Sequence, residues 1–338
     1  MTALIIPSHI CGTNGGCSLE FELWGGLTKT LHVQSMLPNN GEIVATASIL
    51  VPKSLDPSMD PGDETDPCND CGKAGEPISL TTGNTSITQT DIHLPGLGGG
   101  LTLSRSWNSK FPYVTQSRSN IGMFGPNWRS TYEESVAVNL EFNNIKYSRS
   151  DGSFWTFTLD PSGSFFQLVS PANVGATLTS GSRYWTVTYK NGEKRLFANT
   201  SGSLLAIIDR NSNVTEVGHD ALNRITSVSD AGHRHLYFSY DSADSGSAGN
   251  GQLVTKITSD IGITLSYSYD ANQGYLLSVT KPDGTNIYFE YEEHGFISAV
   301  KDTNGKILES HTYDQYGRGL TSSRANGVEA INMTYPPN

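Results

Sequence analysis

The chain has 338 residues, 35 of them glycine, with only 16% charged residues and a formal net charge of -11. That balance argues against nucleic acid or an anionic membrane surface as a partner. No apolar run approaches the ~20 residues that a membrane-spanning helix needs. Segments rich in Thr, Tyr, Val and Ile recur between Gly and Asn turns, and no window sustains a helical period, so the predicted class is all-β.

Met1-Thr2-Ala3-Leu4-Ile5-Ile6 lacks a basic leader region and its apolar core is too short for a signal peptide. The expectation is a natural protein that starts further upstream. Residues 1–52 read as a partial β-domain. Leu27 to Leu37 and Glu42 to Val51 alternate apolar and polar around Pro38-Asn39-Asn40-Gly41, a hairpin pattern. Residues 53–75 read as an Asp/Pro-rich linker, because Asp56-Pro57, Asp60-Pro61-Gly62 and Asp66-Pro67 cannot sustain a strand or a helix. The four cysteines all fall early, at Cys11, Cys17, Cys68 and Cys71. Their spacing leaves three outcomes open: a four-thiolate metal site, disulfides in an exported chain, or free thiols. A thioredoxin-like reading of Cys68-Asn69-Asp70-Cys71 would need a βαβ context that is missing.

Residues 76–143 form a distinct opening module. It runs from Glu76-Pro77-Ile78-Ser79-Leu80-Thr81-Thr82-Gly83-Asn84 through Leu101-Thr102-Leu103-Ser104-Arg105-Ser106-Trp107-Asn108-Ser109. It closes on Phe124-Gly125-Pro126-Asn127-Trp128-Arg129-Ser130. Period-two alternation puts Leu101, Leu103 and Trp107 on one strand face, and Trp107 and Trp128 are the large apolar anchors expected to be buried. Arg105 and Arg129 could bind a ligand, but stacking on neighbouring aromatics or bridging carboxylates at a domain junction is the better-supported reading. Gly96-Leu97-Gly98-Gly99-Gly100 precedes a strand, not a helix, so it is a turn and not a phosphate loop.

Residues 144–338 read as a repeat array, with clear repeats from about 201. Its anchors are Tyr240-Asp241, Tyr269-Asp270, Tyr291-Glu292 and Tyr313-Asp314, spaced 29, 22 and 22 residues apart, with His219-Asp220 a weaker copy. A second turn falls mid-repeat, at Asp230-Ala231-Gly232, Asp260-Ile261-Gly262, Asp283-Gly284 and Asn304-Gly305. Self-similarity at this period means one supersecondary unit repeated. Asp-Gly and Asn-Gly between alternating runs predict two-residue hairpin turns with positive φ at both central residues. Each repeat is therefore one two-stranded hairpin. The longer interval carries a surface insertion, Ser242 to Asn250, with the composition of a flexible loop. Strict periodicity makes the anchor Tyr and Asp residues structural, with the ring packing on the next hairpin and the carboxylate capping the adjoining turn.

No Gly-x-Ser-x-Gly elbow, His-Glu-x-x-His or EF-hand loop occurs. His233-x-His235 would put two imidazoles on one strand face, a partial metal site with no third ligand, and solvent-facing or stacking histidines are the preferred reading. The expectation is no catalytic residue, no metal and no cofactor.

The rhythm of Tyr-Asp, then Gly, then Arg or an apolar residue, then Asp-x-x-Gly closely resembles the YD repeats of Rhs proteins, and residues 76–130 resemble the module that opens their shell. Ser79 stands where Asn is commoner, and Asn127 replaces the Gly before Trp128. Asp160-Pro161-Ser162-Gly163 resembles the Asp-Pro-x-Gly element at which many Rhs proteins are thought to cleave themselves, but it sits before the clear repeats and reads as a turn. The resemblance implies an antiparallel hairpin array curled into part of a β-shell. The chain would then be a non-catalytic segment of a bacterial secreted or surface protein, whose partner is the remainder of its own polypeptide or a toxin cargo. The alternative is a surface adhesin that binds glycans.

Ala330-Ile331-Asn332-Met333-Thr334-Tyr335 would be an edge strand, with only Pro336-Pro337 to blunt its last residues. The expectation is that the natural protein continues and that this end frays or self-associates in isolation. Amide hydrogen exchange is expected to be much faster after Tyr313 than around Tyr269. Equal protection at both places in a monomer would overturn the fragment reading.

Overall fold

The computed structural model describes residues 8–11, 16–23, 27–36, 44–48, 73–74, 78–79, 82–110, 122–139, 144–170, 174–241 and 251–335. Cys68, Cys71 and the Ser242 to Asn250 insertion lie outside them. Within the first 52 residues, four strands pair in sequence order as one antiparallel sheet, from Ser8–Cys11 to Val44–Ser48. Cys11 and Cys17 are backbone register partners in it.

The dominant feature is a 19-stranded sheet in which every strand pairs antiparallel with its neighbour in sequence, from Ser135–Asn139 to Val328–Asn332. It begins inside the stretch that the sequence assigns to the opening module. Among the described residues the helical pieces are two three-residue 3-10 turns, Leu97–Gly99 and Ala325–Gly327. The architecture is all-β.

A flat ribbon of hairpins could not bury one face, and the sequence bends this one. Register shifts fall between Gly218 and His219, Ser239 and Tyr240, Ser268 and Tyr269, Glu290 and Tyr291, and Thr312 and Tyr313. Each is a β-bulge placed immediately before an anchor. Bulges bend the strand and raise its twist, so the anchors mark where the sheet curls. The curl brings the first strand back towards the eighth, Leu204–Ile208. Val136 N donates to Gly202 O at 2.8 Å, and Leu204 N donates to Glu134 O at 3.2 Å. The sheet nevertheless stays open.

The turns differ from the two-residue hairpins that the Asp-Gly and Asn-Gly pairs predict. In the Lys281–Thr285 turn, Gly284 N donates to Lys281 O and Lys281 N donates to Thr285 O. Only Gly284 takes positive φ, at 81°, and Asp283 does not. The same pattern holds at Asp302–Lys306 around Gly305, and at Asp230–Arg234 with His233 in the left-handed slot. Each is a three-residue loop ending in one left-handed residue, a common alternative to the two-residue turn. The Asp side chain decides the matter, because Asp302 Oδ1 accepts from Asn304 N and Lys306 N and so stabilises the longer loop. His233 therefore lies in a turn, and its imidazole does not share a strand face with that of His235.

The inner face is apolar at regular positions: Leu236 and Phe238, Leu265 and Tyr267, Val279 and Phe289 are all buried. Against this side packs a three-stranded sheet from the opening module, Ser86–Leu94, Leu101–Asn108 and Trp128–Ser130. Leu101, Leu103 and Trp107 share its buried face as alternation predicts. The Gly-rich turn at 96–100 docks on the array's mid-repeat turns, where Arg234 Nη2 donates to Leu94 O at 3.1 Å.

Two glycines separate close approach from simple backbone freedom. A Cβ on Gly202 would lie 2.0 Å from Val136 O, whereas one on Gly305 would meet nothing within 4 Å. Both have positive φ. Gly305→Ala is expected to cost only the left-handed penalty of about 1–2 kcal/mol. Gly202→Ala is expected to cost clearly more, because the contact that curls the sheet must open. Urea unfolding of the two variants checks the order, and equal losses would contradict this account of the curl.

Candidate functional site

The anchors come first, because the periodicity singles them out. The tyrosines end the return strands, and each hydroxyl reaches the carbonyl that opens its own hairpin. Tyr240 donates to Ile225 O at 2.8 Å, Tyr269 to Val254 O at 2.6 Å, Tyr291 to Leu276 O at 3.0 Å and Tyr313 to Ile297 O at 2.8 Å. Tyr335 donates to Gly319 O in the same way at 2.8 Å, a fifth anchor that the Tyr-Asp pattern does not mark.

The carboxylates bind turn amides. Asp241 Oδ1 accepts from Leu253 N, Asp270 Oδ1 from Asn272 N and Gln273 N, Glu292 Oε1 from His294 N, and Asp314 Oδ1 from Tyr316 N and Arg318 N. Asp caps the turn as expected of a side chain that mimics a backbone acceptor. Three of the four rings pack not on the next hairpin but on the residue just ahead of their own hairpin's first strand: Arg224 lies 4.8 Å over Tyr240, Tyr275 stacks on Tyr291 at 4.8 Å, and Phe296 tilts against Tyr313 at 5.1 Å. The bulge is the reason, because it turns the anchor ring back over the strand pair it closes.

The opening module meets the array along the anchors. Met123 O accepts from Val254 N at 2.8 Å, Gly125 packs against Gly274 O, Trp128 Nε1 donates to Tyr291 OH at 3.4 Å, and Gly83 O accepts from Gly319 N at 2.8 Å. Trp107 sits edge-on to Tyr313 at 6.2 Å. Trp107 and Trp128 are both fully buried. Asn127 takes φ 66°, a conformation Asn tolerates better than other non-glycine residues, which accounts for its standing in a glycine slot.

At the centre of this junction lies an ion pair. Arg105 Nε and Nη2 donate to Asp91 Oδ2 and Oδ1 at 2.5 and 2.8 Å, and the two side chains are 1% and 2% exposed. Tyr267 OH adds a donor to Asp91 Oδ2 at 2.9 Å. The guanidinium carbon lies 4.8 Å from the Trp128 ring, 5.5 Å from Phe124, 5.6 Å from Phe289 and 5.7 Å from Tyr267. Two of those rings come from the module and two from the array. Burial, the largest influence, would lower the Arg105 pKa, but the charge and hydrogen bond of Asp91, with Tyr267 and Tyr269 beside it, together raise it and hold the charge in place. Burial and Asp91 together push the Tyr267 phenol well above its ordinary range.

A second buried network stands at the start of the sheet. Tyr147 OH donates to Glu134 Oε2 at 2.6 Å, Arg195 Nε donates to the same oxygen at 3.2 Å, and the Tyr147 and Tyr189 hydroxyls are 2.7 Å apart. Burial raises the Glu134 pKa, with Arg195 opposing. Neither network was specified by sequence motif. Asp91 had a weak signal, because Ile87 and Ile92 are both buried despite opposite parity, and the bulge between Thr90 and Ile92 reconciles them. His235 stacks on Tyr237 and pairs with Asp260, both at the surface. Asp160-Pro161-Ser162-Gly163 is an exposed turn closed by Gly163 N on Asp160 O.

Comparison with known proteins agrees with this geometry. The model of a domain of unknown function, DUF6531, matches residues 75–157, and the teneurin YD-shell model matches residues 174–335. The chain is an Rhs/YD-repeat protein. Among curated relatives, the tRNA nuclease WapA of Bacillus subtilis (strain 168) is 29% identical over 270 residues, covering 74% of this chain and 11% of that protein. The tRNA3(Ser)-specific nuclease WapA of Bacillus spizizenii is 29% identical over 294 residues, covering 70% of this chain and 12% of that protein. The chain thus spans only a small part of these relatives' length. Among solved structures, the TcdB2-TccC3-Cdc42 crystal structure aligns with 91% of this chain and 16% of its own, at 12% identity and a TM-score of 0.29.

In this YD-repeat protein the junction, not the anchors alone, is where one substitution should tell most. Removing one partner of a buried pair costs about 3–5 kcal/mol, because the other charge is left uncompensated. Arg105→Met is expected to lose that much in urea unfolding. Arg105→Met combined with Asp91→Leu is expected to recover a substantial part. A single variant as stable as the parent chain would remove the pair from the centre of the junction.

Proposed function

We propose that this chain is a wall segment of a bacterial secreted or surface toxin, a non-catalytic piece of β-shell whose opening module seals it and whose full polypeptide encloses its cargo further along. One observation carries the reading. The side chains that look most like a chemical site are engaged in the fold: each anchor hydroxyl is bonded to a backbone carbonyl, and each anchor carboxylate to turn amides. A phenol or carboxylate so engaged does not serve as a nucleophile or general base without breaking a hairpin. The relatives are named as tRNA nucleases, but this chain matches 11% of their length. We assign it the enclosure and not the cutting.

Two measurements test the two halves of this reading. The isolated chain incubated with total tRNA is expected to leave it intact, and cleavage abolished by a single point substitution would refute the non-catalytic role. In the full polypeptide, the region beyond the repeats is expected to resist protease while the shell is folded, and to become sensitive when Arg105→Met loosens the junction. Equal sensitivity in both would refute enclosure.

A further inference from the structure

Among the described residues, the ring slot of the anchors holds tyrosine five times and histidine once. Tyr240, Tyr269, Tyr291, Tyr313 and Tyr335 each donate to a carbonyl 15 or 16 residues earlier. His219 stands in the same place, after the same kind of bulge. It is followed by Asp220, which caps its turn by accepting from Leu222 N and Arg224 N. The carboxylate half of this anchor is intact, and the phenol is missing. An imidazole is shorter and has no hydroxyl to reach back. The Nδ1 of His219 is buried with no hydrogen-bond partner, a state that buried polar atoms ordinarily avoid.

The exception falls on one hairpin in particular. His219 ends the hairpin formed by Leu204–Ile208 and Val214–His219. The pairing of Ala206 with Glu216, carried on, puts His219 level with Ser203. Ser203 bridges to Ser135. The flanking bonds, Val136 N to Gly202 O and Leu204 N to Glu134 O, bring the first strand of the sheet back to the eighth. The anchor ring that can take a proton near neutral pH therefore stands at the seam where the sheet curls onto itself.

We infer that His219 is a pH-sensitive latch on this seam, closed while the imidazole is neutral and loosened when it is protonated. Protonation puts a charge into a slot that elsewhere holds a neutral phenol. Burial disfavours that charge more than the Val217 carbonyl and Asp220 favour it, so the pKa lies below the ordinary 6.5. The closed seam then holds the proton less tightly than the open one. Its stability is complete above about pH 6.5 and falls as the pH drops below that. The other ionisable groups at this end are accounted for. Asp220 is paired with Arg224, Tyr240 is bonded to Ile225 O, and Glu134 is held by Tyr147 and Arg195. Glu133 accepts from Met123 N. The packed strands Leu204–Ile208 and Ile225–Ser229 carry no ionisable side chain. Burial raises the pKa of Glu133 and of Glu134, so their protonation favours the closed form and acts in the opposite sense. The latch does not depend on what the wall encloses.

The test is amide hydrogen exchange of the full chain at about pH 7.5 and about pH 5.5, corrected for the intrinsic pH dependence of exchange. Acid is expected to speed the Val136 and Leu204 amides about threefold or more relative to those around Tyr269. His219→Tyr restores the residue of the other anchors, and His219→Phe removes the proton site without adding a hydroxyl. Both keep Glu133 and Glu134, and in both the acid response at the seam is expected to vanish. No acceleration at the seam of the parent chain, an equal acceleration around Tyr269, or a response that persists in either folded variant would overturn the latch.

Discussion

The structure depends on a charge placed where there is no water to solvate it. Arg105 comes from the opening module, and its cage of rings is drawn from both module and array. A guanidinium out of water is tolerated only with a well-aligned carboxylate and an aromatic surround. Asp91 can supply the carboxylate because it shares the parity of the buried Ile87, and the bulge between Thr90 and Ile92 buries Ile92 beside it. The requirement is mutual: the module has no interior for this pair without the array, and the array's inner face has no cover without the module. The pair is better understood as fixing how the two fit than as a large net source of stability.

Much of this was legible in the sequence, and the parts that were not share a cause. Period-two alternation places Leu101, Leu103 and Trp107 correctly, and the Tyr-Asp spacing locates every hairpin, because both signals are local. The turn type was missed because Asp-Gly is compatible with two loops, and the choice rests on whether the Asp side chain caps the amides beyond it. The direction of the anchor rings was missed because alternation says which face a residue takes but not that a bulge intervenes. Arg105 and Asp91 are 14 residues apart on paired strands, and no local pattern joins them. Their cage depends on Tyr267 and Phe289, which the repeat presents as two more core aromatics.

The residue ahead of each hairpin's first strand, which the repeat rhythm marks as arginine or apolar, varies in an informative way. At Tyr275 and Phe296 it is aromatic, and these hairpins close on Tyr291 and Tyr313, the anchors that touch Trp128 and Trp107. At Arg224 and Arg318 it is arginine, lying over Tyr240 and Tyr335 and paired with Asp220 and Asp314. Among the hairpins that close on tyrosine, one slot thus has three solutions, with Leu253 in the hairpin that closes on Tyr269. An aromatic serves where the module's indoles complete the packing. An arginine serves on the flanking hairpins, where its stem covers the ring and its head keeps a carboxylate and some contact with solvent. The residue in this slot therefore follows what its anchor ring packs against: the hairpins that close on Tyr291 and Tyr313, whose anchors meet the module's indoles, carry aromatics there, a piece of tertiary structure written into a position that looks merely variable.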